Sequence, residues 1–177
     1  QKCFAKSIEK TFNMMSVDTD TSTSDMALCF ATGEHSIAQH DAQQLHAFQS
    51  CLDEACLKAA IQIAKDGEGA TTLIEVNVLG AASYKDARLM AKSVCDSPLV
   101  KTATHGQDPN WGRIVMALGK IPEVKLNPKK VTVSIGEYDL MKMGTPTSIN
   151  RTDLKKELEK EHVSIMINLN IADSKAT

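Results

Sequence analysis

The stretch that most restricts this fold runs from Asp41 to Ala82. A helix-period apolar stripe (Leu45, Phe48, Leu52, Ala55, Ala59, Ile63) continues to Lys65, with Gln49, Asp53 and Lys58 lying off it. The turn Asp66-Gly67-Glu68-Gly69 follows at once, and then the apolar run "TTLIEVNVLGA". The switch from helical to strand patterning across four residues is the helix–strand alternation that favours α/β or α+β layers. It also leaves two carboxylates in a glycine turn, where backbone can approach a ligand closely.

The rest of the chain alternates in the same way. Phe4, Ile8 and Phe12 give a helix over 2–13, and "SVDTDTSTSD" (16–25) reads as a loop. "MALCFATG" (26–33) suits a buried strand ending at Gly33. A helix over 84–96 must stop before Pro98, after which "SPLVKTATHG" crosses over extended. "DPNWGRIVMALGK" predicts a helix with Asp108 as N-cap, Pro109 in its first turn and Gly119 past its end. "KKVTVSIGEYDLMKMGTPTS" reads as a hairpin or two short strands. Asn150 and Asp153 open a helix through Glu161 with Lys155–Glu159 support, and "HVSIMINLNIA" closes as a strand. The expected class is α/β, or α+β layers. A soft boundary near 100–107 would divide a core layer carrying the glycine turn (1–105) from a C-terminal α/β lobe (106–177), unless the two form one domain.

Composition narrows the partners. A net charge of −2 over 177 residues offers no field for nucleic acid or anionic lipid, and 4% aromatics supply no base-stacking platform. There is no apolar run of bilayer length and no signal peptide. Five cysteines without a C-x-x-C fit reduced thiols in a cytoplasmic or mitochondrial-matrix compartment. The chain begins at Gln1 inside a helical pattern and reads as a processed or excised segment.

Each chemical constellation has a plainer competitor. His40, His46, Cys51 and Cys56 could ligate a metal, yet their spacing matches no zinc pattern. Asp18, Asp20 and Ser22 alternate like calcium ligands, but Thr23 and Cys29 stand where an EF-hand needs Gly and Glu. What remains at 16–25 is a hydroxyl-rich turn whose side chains bond backbone. His105 lies near Asp108, Asn110, Trp111 and Arg113 without a nucleophile elbow; a helix start with a buried Trp covers that pattern. The turn at 66–69 follows a helix, where carbonyls point outward and the dipole is negative, so phosphate is excluded there. Asp66 and Glu68 favour a cation instead, such as the ammonium group of an amino acid. The competing reading is a helix cap with Lys65 balancing the acids.

Three stretches, taken in order, resemble the signature of a known family: "FNMMSVDTDTSTSD", "DGEGATTLIEVNVLGAA" and "SPLVKTATHGQDPNWGRIVMALGK". They are similar to the bifunctional ornithine acetyltransferase family, also called glutamate N-acetyltransferase (ArgJ). The closing "VSIMINLNIADSKAT" resembles that family's late strand and following turn.

The resemblance implies stacked sheets flanked by helices, superficially like N-terminal-nucleophile hydrolases. It implies a precursor that cuts itself into α and β chains, assembled as an α2β2 heterotetramer. The β-chain threonine would take acetyl from N-acetylornithine and give it to glutamate in arginine biosynthesis. No cofactor is implied, although some members accept acetyl-CoA as a co-substrate. The family's acidic substrate-binding residue falls on Glu68. Asp108 and Asn110 match a family motif without a role attached. The nucleophile lies upstream of the first helix and the oxyanion donors lie in the α chain, so no catalytic residue is expected in this chain, and alone it should be inert. A non-catalytic module that binds a basic amino acid is the alternative, and a β-peptide aminopeptidase on the same scaffold is a third reading.

Overall fold

The structure, a computed structural model, describes residues 1–35 and 41–177. Six α-helices and six strands occur among them: α1 (Lys2–Lys10), α2 (Ala42–Lys65), β1 (Leu73–Ala81), α3 (Tyr84–Cys95), α4 (Pro98–His105), α5 (Trp111–Leu118), β2 (Thr132–Ile135), β3 (Tyr138–Lys142), β4 (Thr145–Pro146), α6 (Arg151–Leu158), β5 (His162–Asn168) and β6 (Ser174–Ala176). The expected mixed α/β class is found: the strands form one sheet in the order β4-β3-β2-β5-β1-β6, with helices flanking it.

β1 and β5 run parallel at the centre, with Val76 opposite Ile165 and Val78 opposite Ile167. The other pairings are antiparallel. Alternation decides the faces. Val76, Val78, Val133, Val163, Ile165 and Ile167 point to the core, while Glu75, Asn77, Ser134 and Ser164 occupy the opposite face. α3 lies against β1 and β6, and α4 and α5 pack on α3, closing the core over the central strands. β1 comes from the first half of the chain yet sits between β5 and β6 from the second.

α1 and α2 form a separate pair that touches β1 only lightly. Its contact is polar. Ser7 is fully buried and donates to Asp53 Oδ1 at 2.6 Å, while Gln49 Nε2 donates to Asp53 Oδ1 at 2.8 Å, Ser7 Oγ at 2.9 Å and the Cys3 carbonyl at 3.1 Å. This network turns α2 away from the orientation its apolar stripe predicts. Cys56 and Ala60 are its buried residues, Gln49 and Asp53 face α1, and Phe48 and Ile63 are exposed. Turning α2 the other way would break these bonds and leave the buried Ser7 hydroxyl without its carboxylate partner.

Several other expectations need correction. Residues 26–33 form no strand: Met26 is 77%, Leu28 66% and Phe30 87% exposed, and none of the six strands pairs with them. An extended segment becomes a strand only when a neighbour accepts its ladder. Residues 98–105 are helical, not extended, because Ser97 Oγ accepts from the Val100 N–H and Pro98 occupies the first turn. α5 starts two residues later than Asp108 and Pro109 suggest, with Asn110 at its N-cap. The hairpin region carries a third short strand, β4. α6 ends at Leu158, and its ion pairs are Lys156–Asp153 and, just beyond the helix end, Lys160–Glu157, in place of Lys155–Glu159.

Candidate functional site

α2 delivers the glycine turn. Asp41 caps its start by accepting from the Gln44 N–H, and Asp66 caps its end with its own N–H on the Gln62 carbonyl. The turn closes through the Ala70 N–H on the Gly67 carbonyl, and Gly69 adopts a φ of +70°. The last carbonyls of a 24-residue helix therefore end beside Asp66 and Glu68. Both carboxylates are exposed, and among the described residues neither forms an ion pair with Lys65 or any other cation. A shallow concavity of about 450 Å³, lined by Gln62, Ile63, Lys65 and Asp66, opens beside the turn.

The loop 16–25 comes to this turn. A Cβ built on Gly67 would lie 2.7 Å from Val17 Cγ1, so only glycine lets the two segments approach so closely. Within the loop, the Asp20 N–H bonds Asp18 Oδ1, and the Ser24 and Asp25 N–H groups bond Ser22 Oγ. These are the side-chain-to-backbone bonds that its hydroxyl-rich composition leads one to expect.

The third motif supplies the brace. Lys101, on α4, donates to the Val17 carbonyl at 2.6 Å and Ser16 Oγ at 3.1 Å. One turn on, His105 Nδ1 lies 3.2 Å from Thr71 Oγ1, just past the glycine turn. α3 adds Lys92, which donates to the Met15 carbonyl at 2.5 Å, and Arg88, which reaches Met14 Sδ at 3.2 Å and pairs with Glu9. Lys101 does not stand out in the sequence, and His105 does so only beside Asp108 and Asn110, because their four-residue spacing has meaning only on a helix, and 97–106 reads as extended. The Ser-Pro pair at 97–98 was the available signal.

The other candidates go elsewhere. Asp108 and Asn110, hydrogen-bonded to each other at 3.2 Å, line a different concavity of about 300 Å³ with Trp111, Thr147, Ile149 and Arg151. Arg113 braces α4 through the Leu99 carbonyl and Thr102 Oγ1. Of the metal-ligand set, His40 lies outside the described residues, Cys51 is exposed and Cys56 is buried. No group of three or more His, Cys, Asp or Glu placed to hold a metal occurs among the described residues. No helix among them is long and apolar enough to cross a membrane.

An acidic turn at a helix C-terminus, open to solvent and backed by an ordered loop, can hold a cationic group by charge and by backbone oxygens.

Comparison with known proteins bears on the chain as a whole. The ArgJ family model matches residues 1–177. The Arginine biosynthesis bifunctional protein ArgJ 2 of Nostoc sp. is 43% identical across 100% of this chain and 44% of its own length. The ArgJ protein of Bacillus thuringiensis subsp. konkukian is 37% identical across 98% of this chain and 43% of its own. The chain thus spans less than half the length of these relatives. The crystal structure of Arginine biosynthesis bifunctional protein argJ from Bacillus halodurans superposes with a TM-score of 0.94 at 38% identity, covering 99% of this chain and 84% of that one.

Proposed function

The chain belongs to the ArgJ family, and from that premise we propose that it is the β-chain part of an acetyltransferase that moves acetyl from N-acetylornithine to glutamate. The observation that carries this reading for the site is Glu68: an exposed carboxylate at the electron-rich end of α2, with no cation of the described residues bound to it. In this reading Glu68 pairs with the free side-chain ammonium of N-acetylornithine, aided by the last carbonyls of α2. A threonine hydroxyl outside residues 1–177 attacks the acetyl carbonyl. The C–N bond breaks, the proton passes to the departing amine of ornithine, and an acetyl ester remains on the threonine. The glutamate amine then attacks that ester, giving N-acetylglutamate and restoring the hydroxyl. Donors at the oxyanion would come from an α chain cut from the same precursor, in an α2β2 assembly. Acetyl-CoA could charge the same threonine as an alternative donor. No cofactor enters these steps.

The test uses the full-length natural protein. After incubation with N-acetylornithine, mass spectrometry should find one acetyl group on a threonine outside this segment. A melting temperature raised by ornithine, without any adduct, would instead indicate a module that binds basic amino acids and has no catalysis. Glu68→Gln should raise KM for N-acetylornithine about tenfold or more, since a bond to a charged group contributes about 1.5–3 kcal/mol, and should leave self-cleavage intact. An unaltered kcat/KM would remove Glu68 from the site.

A further inference from the structure

Loop 16–25 is tied to the rest of the molecule at very few points. Its internal bonds are local turns. Among the described residues, its long-range hydrogen bonds all end on one group, the Lys101 ammonium, through Ser16 Oγ and the Val17 carbonyl. Its close packing partner is the glycine turn, through Val17 and Gly67. Segment 9–15, by contrast, is held independently by Arg88 and Lys92 from α3. Removing the Lys101 bonds would therefore leave α1 and its approach docked and free only the part of the chain that stands against the residue before Glu68.

We propose that Lys101 is a positioning residue of the Glu68 site: its ammonium holds the 16–17 backbone against Gly67 and so sets the wall beside the substrate-binding carboxylate. Charge-assisted bonds to a carbonyl and a hydroxyl are directional and strong enough for this task. The same helix face carries His105 to Thr71, so α4 fixes the loop and the far end of the turn from one rigid element. This inference rests on the reading of Glu68 as a substrate contact, but its two consequences, an ordered loop and a tuned affinity, are measured separately.

The experiment compares Lys101→Met, Lys101→Arg and Ser16→Ala in the full-length protein. Amide hydrogen exchange of peptides covering 16–25 should speed up about tenfold in Lys101→Met, while peptides from 84–95 stay protected. In the same variant KM for N-acetylornithine should rise about tenfold, far more than kcat falls, and Lys101→Arg should recover most of both effects. Ser16→Ala removes one acceptor and leaves the ammonium in place. It should give the same pattern at about threefold, so the idea is still tested should Lys101→Met not fold. Unchanged exchange at 16–25, or an unmoved KM while Glu68→Gln still raises it, overturns the role of Lys101. A KM insensitive to Glu68→Gln, with loop exchange still responding to Lys101→Met, condemns the substrate reading instead.

Discussion

Lys101 and His105 stand one turn apart on α4, and each holds a different segment: the ammonium binds residues 16 and 17, and the imidazole meets Thr71. Stretches separated by some fifty residues in the chain are thus joined by one eight-residue helix. The three motifs that carry the family resemblance meet around it. The glycine turn is consequently held on both sides, by Val17 at Gly67 and by His105 beyond Gly69.

The approach of Val17 to Gly67 can be tested by crowding it. Gly67→Ala places a Cβ 2.7 Å from Val17 Cγ1, and should destabilise the protein by about 1 kcal/mol, within the range for overpacking. It should also weaken ornithine binding measured by calorimetry. Val17→Ala in the same chain removes the obstructing methyl groups and should restore both. A double mutant no better than the sum of the single variants would deny that the two residues touch.

Glycine 80 offers a sharper contrast with glycine 69. Both have positive φ, +69° and +70°, but a Cβ at 69 meets nothing within 4 Å, whereas at 80 it would lie 2.4 Å from Asn168 Oδ1 and 2.8 Å from the Asn170 nitrogen. Gly69→Ala should cost about 1 kcal/mol, the left-handed penalty alone. Gly80→Ala should cost about 3 kcal/mol, because that penalty is joined by displacement of the turn after β5. Urea denaturation of the two variants decides it.

The α1–α2 contact should be sensitive to acid. Burial acts to raise the Asp53 carboxyl, but hydrogen bonds from Ser7 and Gln49, with the Lys10 ammonium, outweigh it and hold it below its ordinary value of 3.8. A depressed carboxyl contributes stability that is fully present above its unfolded value and is lost as pH falls through the folded one. Melting temperature should therefore drop as pH goes below about 4, more steeply than in Asp53→Asn. Parallel curves for the two proteins would refute the assignment.

The thiols should separate by reactivity. Burial pushes the Cys95 thiol up, with the Lys92 and Lys101 ammonium groups acting against it, while Cys29 and Cys51 are exposed. Iodoacetamide at neutral pH should label Cys29 and Cys51 first and Cys95 slowly, read by peptide mass spectrometry. Rapid labelling of Cys95 in the folded chain would show that its thiol is not buried against the core.

Much of this was legible in the sequence because the signals are local. Asp41, Ser83 and Asn150 cap their helices with side-chain bonds reaching two or three residues ahead. β1 and β5 announce themselves by apolar patterning, and the glycine turn is evident from its own residues. Helix polarity marks Asp66 and Glu68 as unfavourable for phosphate, and the family resemblance, not polarity, selects Glu68 as the expected substrate contact. Other features were invisible for an equally physical reason. The expected strand at 26–33 has the right composition, but a strand exists only with a partner, and none of the six takes it up.

By itself, then, the sequence determined where α2, α3 and α6 start, where the acidic turn lies and which class of layers results, since capping, periodicity and backbone freedom act over a few residues. Tertiary structure decided which face of α2 turns inward, because Ser7 reaches Asp53 from 46 residues away. It also decided that Lys101 and His105 of α4 reach two separate loops, a juxtaposition produced only when α4 packs on α3 and α5. Contacts of that range depend on the whole chain folding at once, and no local pattern encodes them.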